Sequence, residues 1–178
     1  SESNEALSQE VLSYTATIQK YANQYGIPEY VSVIQAIMMQ ESGGRGTDPM
    51  QSSECPYNTR YSNSPNAIQD ADYSIQVGIQ YYADCLREAG CTSPQDMDKL
   101  KLSLQGYNYG NGYIRGRFRN MAATVQKMPC SFPMSRLLRM AGVPMVIQNT
   151  SLTFCGIIPA ADCLPACLEA TARSYPWH

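Results

Sequence analysis

At 178 residues the chain is long enough for one domain with a real core and too short for two full catalytic domains. Its 13 Lys and Arg against 15 Asp and Glu leave a formal net charge of -2, so no global basic field exists to draw it to nucleic acid or anionic lipid. A hydrophobic share of 44% with 12 Gly and 11 Pro fits a folded globular chain and excludes collagen, coiled coil and a low-complexity tail.

No run approaches the ~18 to 20 apolar residues of a membrane span, and Ser1 to Glu5 supply neither the basic nor the apolar part of a secretory leader. The chain opens on Ser rather than Met, which suggests a mature or trimmed piece whose upstream signal or anchor has been removed. Seven Cys is an odd number, so at least one thiol has no partner within the chain. The one histidine is His178, which excludes a zincin motif, a Ser-His-Asp triad inside the fold and a Cys-His-His peptidase site. Chemistry is left to carboxylates, amides and tyrosines.

Val11, Leu12, Thr15, Ile18 and Ala22 recur at helical spacing and predict one amphipathic helix that stops at Gly26-Ile27-Pro28. A second helix is predicted after Pro28, carrying Val33, Ile34, Ile37, Met38 and Glu41 on one face and ending at Gly43-Gly44. Residues 42–67 are rich in Gly, Ser, Pro and Asn and read as a long loop, which usually means a functional one. A third helix is predicted from Asp72, with Ile75, Ile79, Tyr82 and Leu86 as its stripe and Gly90 as its stop. Ser93-Pro94-Gln95-Asp96 has the order of an N-cap, a first-turn proline and a first-turn acid, opening a fourth helix with Leu100, Leu104 and Tyr107. A further helix is expected over 114–127.

Composition changes near Pro129: 23 of the 28 charged residues precede it, while four of the seven Cys lie in the last 49 residues. The expected organisation is therefore a domain over 1–129 and a tail over 130–178. The tail holds a short helical candidate at Ser135–Ala141, an apolar run Val143–Ile147 that suits a strand, and the Cys163 and Cys167 pair.

Glu41 is the most informative residue. Its helical face is shared with Ile34, Ile37 and Met38, and burial among apolar groups raises a carboxyl pKa. It also occupies the last turn, where the negative end of the helix dipole disfavours ionisation. A carboxylic acid that keeps its proton near neutral pH is what cleavage of a glycosidic bond requires of its general acid. The bland alternative is a helix-end glutamate turned to solvent.

Four ordered motifs add to that reading: Met39-Gln40-Glu41-Ser42-Gly43-Gly44, Asp48-Pro49-Met50-Gln51-Ser52-Ser53-Glu54, Ser74-Ile75-Gln76-Val77-Gly78-Ile79 and Gln105-Gly106-Tyr107-Asn108-Tyr109-Gly110. Over roughly residues 10–120 the chain resembles the lysozyme-like domain of bifunctional cell-wall hydrolases of Gram-positive conjugative transposons, itself similar to goose-type lysozymes and soluble lytic transglycosylases. The resemblance implies a mainly α, lysozyme-like helical domain with a glycan-binding cleft, followed here by an irregular C-terminal tail. It implies a muramidase or lytic transglycosylase acting on the β-1,4 bond between N-acetylmuramic acid and N-acetylglucosamine, with Glu41 as the catalytic acid and base; general acid catalysis on a glycoside needs neither a metal nor an organic cofactor, and neither is expected.

By the same resemblance Ser42, Gln51, Ser52, Ser53, Glu54, Tyr107, Asn108 and Gly110 are substrate-binding residues. Ser52 and Ser53 equally suit a turn that satisfies its own backbone, and Tyr107 equally suits a core. Gly110 fits a close backbone approach or a positive φ. Asp48 is a candidate second carboxylate, or a turn initiator before Pro49; Glu54 is a cleft residue, or the partner of Arg60. If neither carboxylate reaches the site, the muramic acetamido group assists and gives a 1,6-anhydro product.

The expected partner is peptidoglycan glycan strands, with contact to conjugation machinery; no nucleic acid, no membrane span in this fragment and a monomer complete the expectation. Arg115, Arg117 and Arg119 around Phe118 read as a solvated helix face before they read as a nucleic-acid patch. Cys85 and Cys91 flank Gly90, where a bridge from the helix end to the following turn is the alternative, and Cys163 and Cys167 lack the ligands to complete a metal site; free or structural thiols are the favoured reading. The peptidase domain usual in such hydrolases has no counterpart here, so the tail reads as a truncated or rearranged end and one catalytic activity is expected. Place of action is the extracellular face or cell wall of a Gram-positive bacterium, reached by a signal or anchor outside this fragment. A catalytically inactive peptidoglycan-binding module is the alternative.

Overall fold

The periodicity that predicts one N-terminal helix resolves into two. Ser8 caps α1 (Gln9–Ser13) by accepting from the Val11 amide, and α2 (Thr15–Gln24) begins beyond Tyr14. The Tyr14 amide donates to Val11 O at 3.1 Å, a three-residue step, and Thr15 Oγ1 donates to Leu12 O at 2.6 Å. A tightened turn and a side chain bonded to a ladder carbonyl break the run, although the apolar stripe passes through it. The structure, a computed structural model, describes residues 6–110 and 134–143.

A 3-10 turn at Pro28–Tyr30 leads into α3 (Val31–Glu41). This helix buries Val33, Ile34, Ala36, Ile37 and Met38, so it is apolar on most of its circumference. It ends as its glycines predict: the amides of Ser42 and Gly43 both fold back onto Met38 O, and Gly43 takes φ 66°.

The loop after α3 runs to Asp70, which caps α4 (Ala71–Ala89) by accepting from the amides of Asp72 and Tyr73; Gly90 closes the helix at φ 66°. The cap of the next helix, α5 (Met97–Tyr109), lies three residues later than predicted. Ser93 Oγ accepts from the Gln95 amide and spends its capping capacity on a preceding turn, while Asp96 accepts from the Lys99 amide and is the true cap. In the tail, α6 (Met134–Met140) matches the short helical candidate and buries Met134, Leu137, Leu138 and Met140.

Packing is organised around two helices. α4 lies against α5 and α2, while α3 lies against α2, α1 and α6. Ile18, Ile34, Ile37, Met38, Ile75, Ile79, Tyr82, Leu100 and Leu104 are among the side chains fully removed from water between them. No strand occurs among the described residues. The mainly α class is the observed one, and α6 contributes to the same core as the helices before Pro129.

Two side-chain alternatives are decided. Cys85 and Cys91 are buried and form no bridge with each other, and Cys55 is buried as well. After the Gly90 turn Cys91 faces Tyr30, with its Sγ 3.6 Å from the Tyr30 hydroxyl, while Cys85 sits in the buried stripe of α4. Arg60 lies over the ring of Tyr73, 4.4 Å from its centroid, and the alternative pairing of Glu54 with Arg60 is not formed. The predicted helix over 114–127, the Arg115 to Arg119 cluster, the strand candidate beyond Val143 and the Cys163 and Cys167 pair lie outside the described residues. Among the described residues no helix is long and apolar enough to cross a membrane.

Candidate active site

Glu41 is the last residue of α3. Part of the residue reaches the surface, but its carboxyl is sunk among its neighbours. Desolvation is the main cause of a pKa pushed up to about 8, and the negative charge of Asp48 adds to it. The acid is therefore largely protonated at neutral pH. One residue earlier, Gln40 Oε1 is buried with no hydrogen-bond partner among the described residues.

Asp48 is almost fully buried, at 3% exposure. Its Oδ1 accepts from the Ser52 amide at 3.0 Å and the Ser74 hydroxyl at 2.6 Å; its Oδ2 accepts from the Ser53 amide at 3.2 Å and the Ser53 hydroxyl at 2.5 Å. A carboxylate offers about four lone-pair positions, so these donors satisfy it. Such bonds are what makes a buried charge without a cation tolerable.

The turn that Asp48 holds is fastened on three sides. Ser42, next to the acid, donates its hydroxyl to Pro49 O at 2.7 Å and ties the turn to the end of α3. Ser74, in the first turns of α4, accepts from the Met50 amide at 3.2 Å, and its carbonyl accepts from Ser52 Oγ at 2.8 Å. Tyr107 of α5 donates to Met50 O at 2.8 Å. Its ring rests against Tyr81 and Tyr82, with centroids 5.6 and 6.0 Å away. Burial, and after it the charge of Glu41 once that acid ionises, holds the Tyr107 phenol well above its ordinary pKa, so it stays a hydrogen-bond donor.

Gly78 makes this junction possible. A Cβ built there would lie 2.8 Å from Met50 Cβ and 3.1 Å from the Tyr107 hydroxyl, so a side chain on α4 would collide with the turn and with its anchor.

The predicted site residues thus fall into two groups. Ser42, Ser52, Ser53 and Tyr107 spend their polar atoms on the turn itself, with Ser53 Oγ also accepting from the Ile68 amide at 3.0 Å. Asn108 is buried on α5 beside Tyr107. Gln51 and Glu54 are half-buried on the loop. Gln51 adopts φ 48° and donates from Nε2 to Asp48 O and to Asn66 Oδ1. Gly110 takes φ 87°, the positive value its position implies. Ser74 and Gly78 belong to a motif whose residues carry no role on the sequence reading. A serine and a glycine one helical turn apart among the otherwise mostly apolar buried residues of α4 are the signal that points to them. Among the described residues no cluster of His, Cys, Asp and Glu suits a metal ion.

Residues 8–126 match the family model described as Lysozyme-like. The chain is 36% identical over 131 residues to the bifunctional muramidase/DL-endopeptidase CwlT of Bacillus subtilis (strain 168), an alignment covering 74% of this chain and 36% of that protein. It is 30% identical over 105 residues to the pneumococcal vaccine antigen A of Streptococcus pneumoniae serotype 4, covering 59% of this chain and 47% of the relative. A crystal structure of a protein of Staphylococcus aureus subsp. aureus Mu50, described as similar to lipoprotein, NLP/P60 family, superposes with a TM-score of 0.54 at 29% identity, covering 83% of this chain and 56% of that one. The chain spans between about a third and a half of the length of these curated relatives. By the match over most of its length, the chain belongs to the lysozyme-like family.

Proposed function

We propose that the chain is a peptidoglycan glycosidase that cleaves the β-1,4 bond between N-acetylmuramic acid and N-acetylglucosamine, with Glu41 as general acid and then general base. The observation that carries this is the state of Glu41: a desolvated carboxyl at the C-terminal end of an apolar helix, protonated near neutral pH. Membership of the lysozyme-like family and likeness to a protein named a muramidase support the same chemistry.

In this reading Glu41 gives its proton to the glycosidic oxygen as the bond to the muramic anomeric carbon breaks. The carboxylate left behind then takes a proton from the attacking group. That group is either water, which leaves a reducing muramic end, or the muramic 6-hydroxyl, which leaves a 1,6-anhydro end. Asp48 has its lone pairs occupied within the protein. The second carboxylate role therefore falls to Glu54, or is replaced by the muramic acetamido group. Gln51 and Glu54 offer polar groups to the glycan from the loop, while Ser42, Ser52, Ser53 and Tyr107 hold the shape of that loop. The site of action is the cell wall outside the membrane, and local opening of the wall during conjugative transfer is the purpose.

The test is mass spectrometry of fragments released from purified peptidoglycan by the parent protein and by Glu41→Gln. Release by the parent alone supports the reading, and the muramic ends identify hydrolase or transglycosylase. Binding by both with release by neither would leave a catalytically inactive peptidoglycan-binding module.

A further inference from the structure

The turn beside Glu41 is built around a buried anion that touches no cation among the described residues. Asp48 is held by backbone and hydroxyl donors of Ser52 and Ser53 from within the turn, and by Ser74 from α4. Ser74 is shared: its hydroxyl donates to Asp48 and accepts the Met50 amide, and its carbonyl receives the Ser52 hydroxyl. The neighbouring Pro49 carbonyl is bonded to Ser42, which follows Glu41 in the chain. A short path of hydrogen bonds therefore runs from the first turns of α4, through Asp48 and its turn, to the end of α3.

A turn that only needed its shape would be served by an asparagine or a glycine before Pro49, since either initiates turns without a buried charge. Burying a full negative charge costs several kcal/mol unless it is completely hydrogen-bonded, and here the fold commits three serines to that end. The charge reaches Glu41. Water cannot be activated by this carboxylate without first losing one of the bonds that hold the turn.

We infer that Asp48 is a positioning residue for Glu41, an anion clamped by Ser52, Ser53 and Ser74 that fixes the turn against the end of α3 and keeps a negative charge beside the acid. This rests on the reading of Glu41 as the acid. Asp48 touches no reacting atom. It acts by holding the turn and by disfavouring a second negative charge nearby, so that the acid retains its proton.

Other groups around Glu41 do not share that role. Tyr107 on α5 and Cys55 on the loop are neutral across the working range, because burial raises both, the thiol to about 11. α3 carries no other titratable residue; α1 brings Glu10, α2 brings Lys20 and Tyr21, and α4 presents Cys85, raised by burial, and none of them supplies the charge effect on Glu41. α6 packs on α3 and carries Arg136 and Arg139, yet Asp48 supplies the charge effect on Glu41.

The test compares the parent with Asp48→Asn and Ser74→Ala, each checked for folding by thermal unfolding. Carbon-13 NMR titration of the Glu41 carboxyl is expected to give a lower midpoint in Asp48→Asn than in the parent, and the alkaline limb of glycan cleavage is expected to move to lower pH with it. Ser74→Ala keeps the charge and loosens the clamp: kcat falls severalfold, KM changes little and the alkaline limb stays in place. An unmoved Glu41 midpoint in folded Asp48→Asn overturns the inference. Loss of all cleavage with an unmoved midpoint assigns Asp48 to catalysis directly. Should Asp48→Asn fail to fold, Ser74→Ala with undiminished kcat overturns it alone. The NMR midpoint is read without any substrate, so a protein that cleaves no glycan still reports on Asp48, separately from the question of Glu41 as a catalyst.

Discussion

The hydroxyl of Tyr107 donates to the carbonyl of Met50 at 2.8 Å, across 57 residues of sequence, and joins α5 to the turn beside Glu41. The tyrosine is 7% exposed and the Met50 side chain fully buried, so neither end of the bond has water as a substitute. Tyr107→Phe keeps the ring and leaves that carbonyl without its donor. The expected cost is about 1 to 3 kcal/mol of stability, read from denaturant unfolding with an unchanged m value. Glycan cleavage should fall by more than the loss of folded protein explains, because the turn loses its tie to α5.

Gly78→Ala tests the same junction from the other side. In an exposed helix the change would be stabilising by about 1 kcal/mol, through propensity alone. Here the new Cβ meets Met50 Cβ at 2.8 Å and the Tyr107 hydroxyl at 3.1 Å, and Met50 Cβ is fixed by the backbone of the turn. The expected sign is therefore reversed, with a net loss of roughly 1 to 3 kcal/mol from overpacking. Equilibrium unfolding of the purified variant decides it; a gain in stability would mean that the turn can step away from α4.

What the residue pattern makes legible here is what local spacing encodes. The apolar face of α3, its glycine stop and the placement of an acid at its end all follow from intervals of three and four residues. The positive φ of Gly110 follows from its residue type. The state of Asp48 does not, because it depends on Ser74, 26 residues away in sequence. The Ser52 hydroxyl has the same origin, because it finds the Ser74 carbonyl only once α4 packs beneath the loop, whereas the Ser53 hydroxyl meets Asp48 within the turn itself. The break at Tyr14 is hidden in the pattern because α1 and α2 keep one stripe across it, with Val11 and Ile18 both fully buried. Ser93 reads as the cap of α5 because serine serves turns and caps alike, and the residue that does cap the helix, Asp96, is three positions further on.

The three described thiols should be silent in the native state. Cys55, Cys85 and Cys91 are all buried, and burial raises the Cys55 thiol to about 11 and the Cys85 thiol further. A thiol that is both covered and protonated is a poor nucleophile. Alkylation at pH 8 followed by peptide mapping should label none of these three in native protein and all three in denaturant. Rapid native labelling of Cys85 would place the α4 stripe in contact with water and contradict the packing against α5.

The raised pKa of Glu41 makes stability depend on pH with a definite sign. Unfolded, the carboxyl titrates near its ordinary 4.5; folded, it titrates near 8, chiefly because it is desolvated and secondarily because Asp48 is close. Between those values the folded protein holds a proton that the unfolded chain has released, so stability falls as pH rises across the window. The contribution of this group is greatest below 4.5 and is lost progressively up to about 8, on the order of a few kcal/mol across the whole range. Glu41→Gln mimics the protonated acid at every pH and removes this slope. The variant should therefore match the parent in thermal stability near pH 5 and exceed it near pH 8, while cleaving no glycan at either. Parallel stability curves for parent and variant across that window would show that Glu41 ionises as freely in the folded protein as in the unfolded chain, and the case for it as a neutral-pH general acid would fail with them.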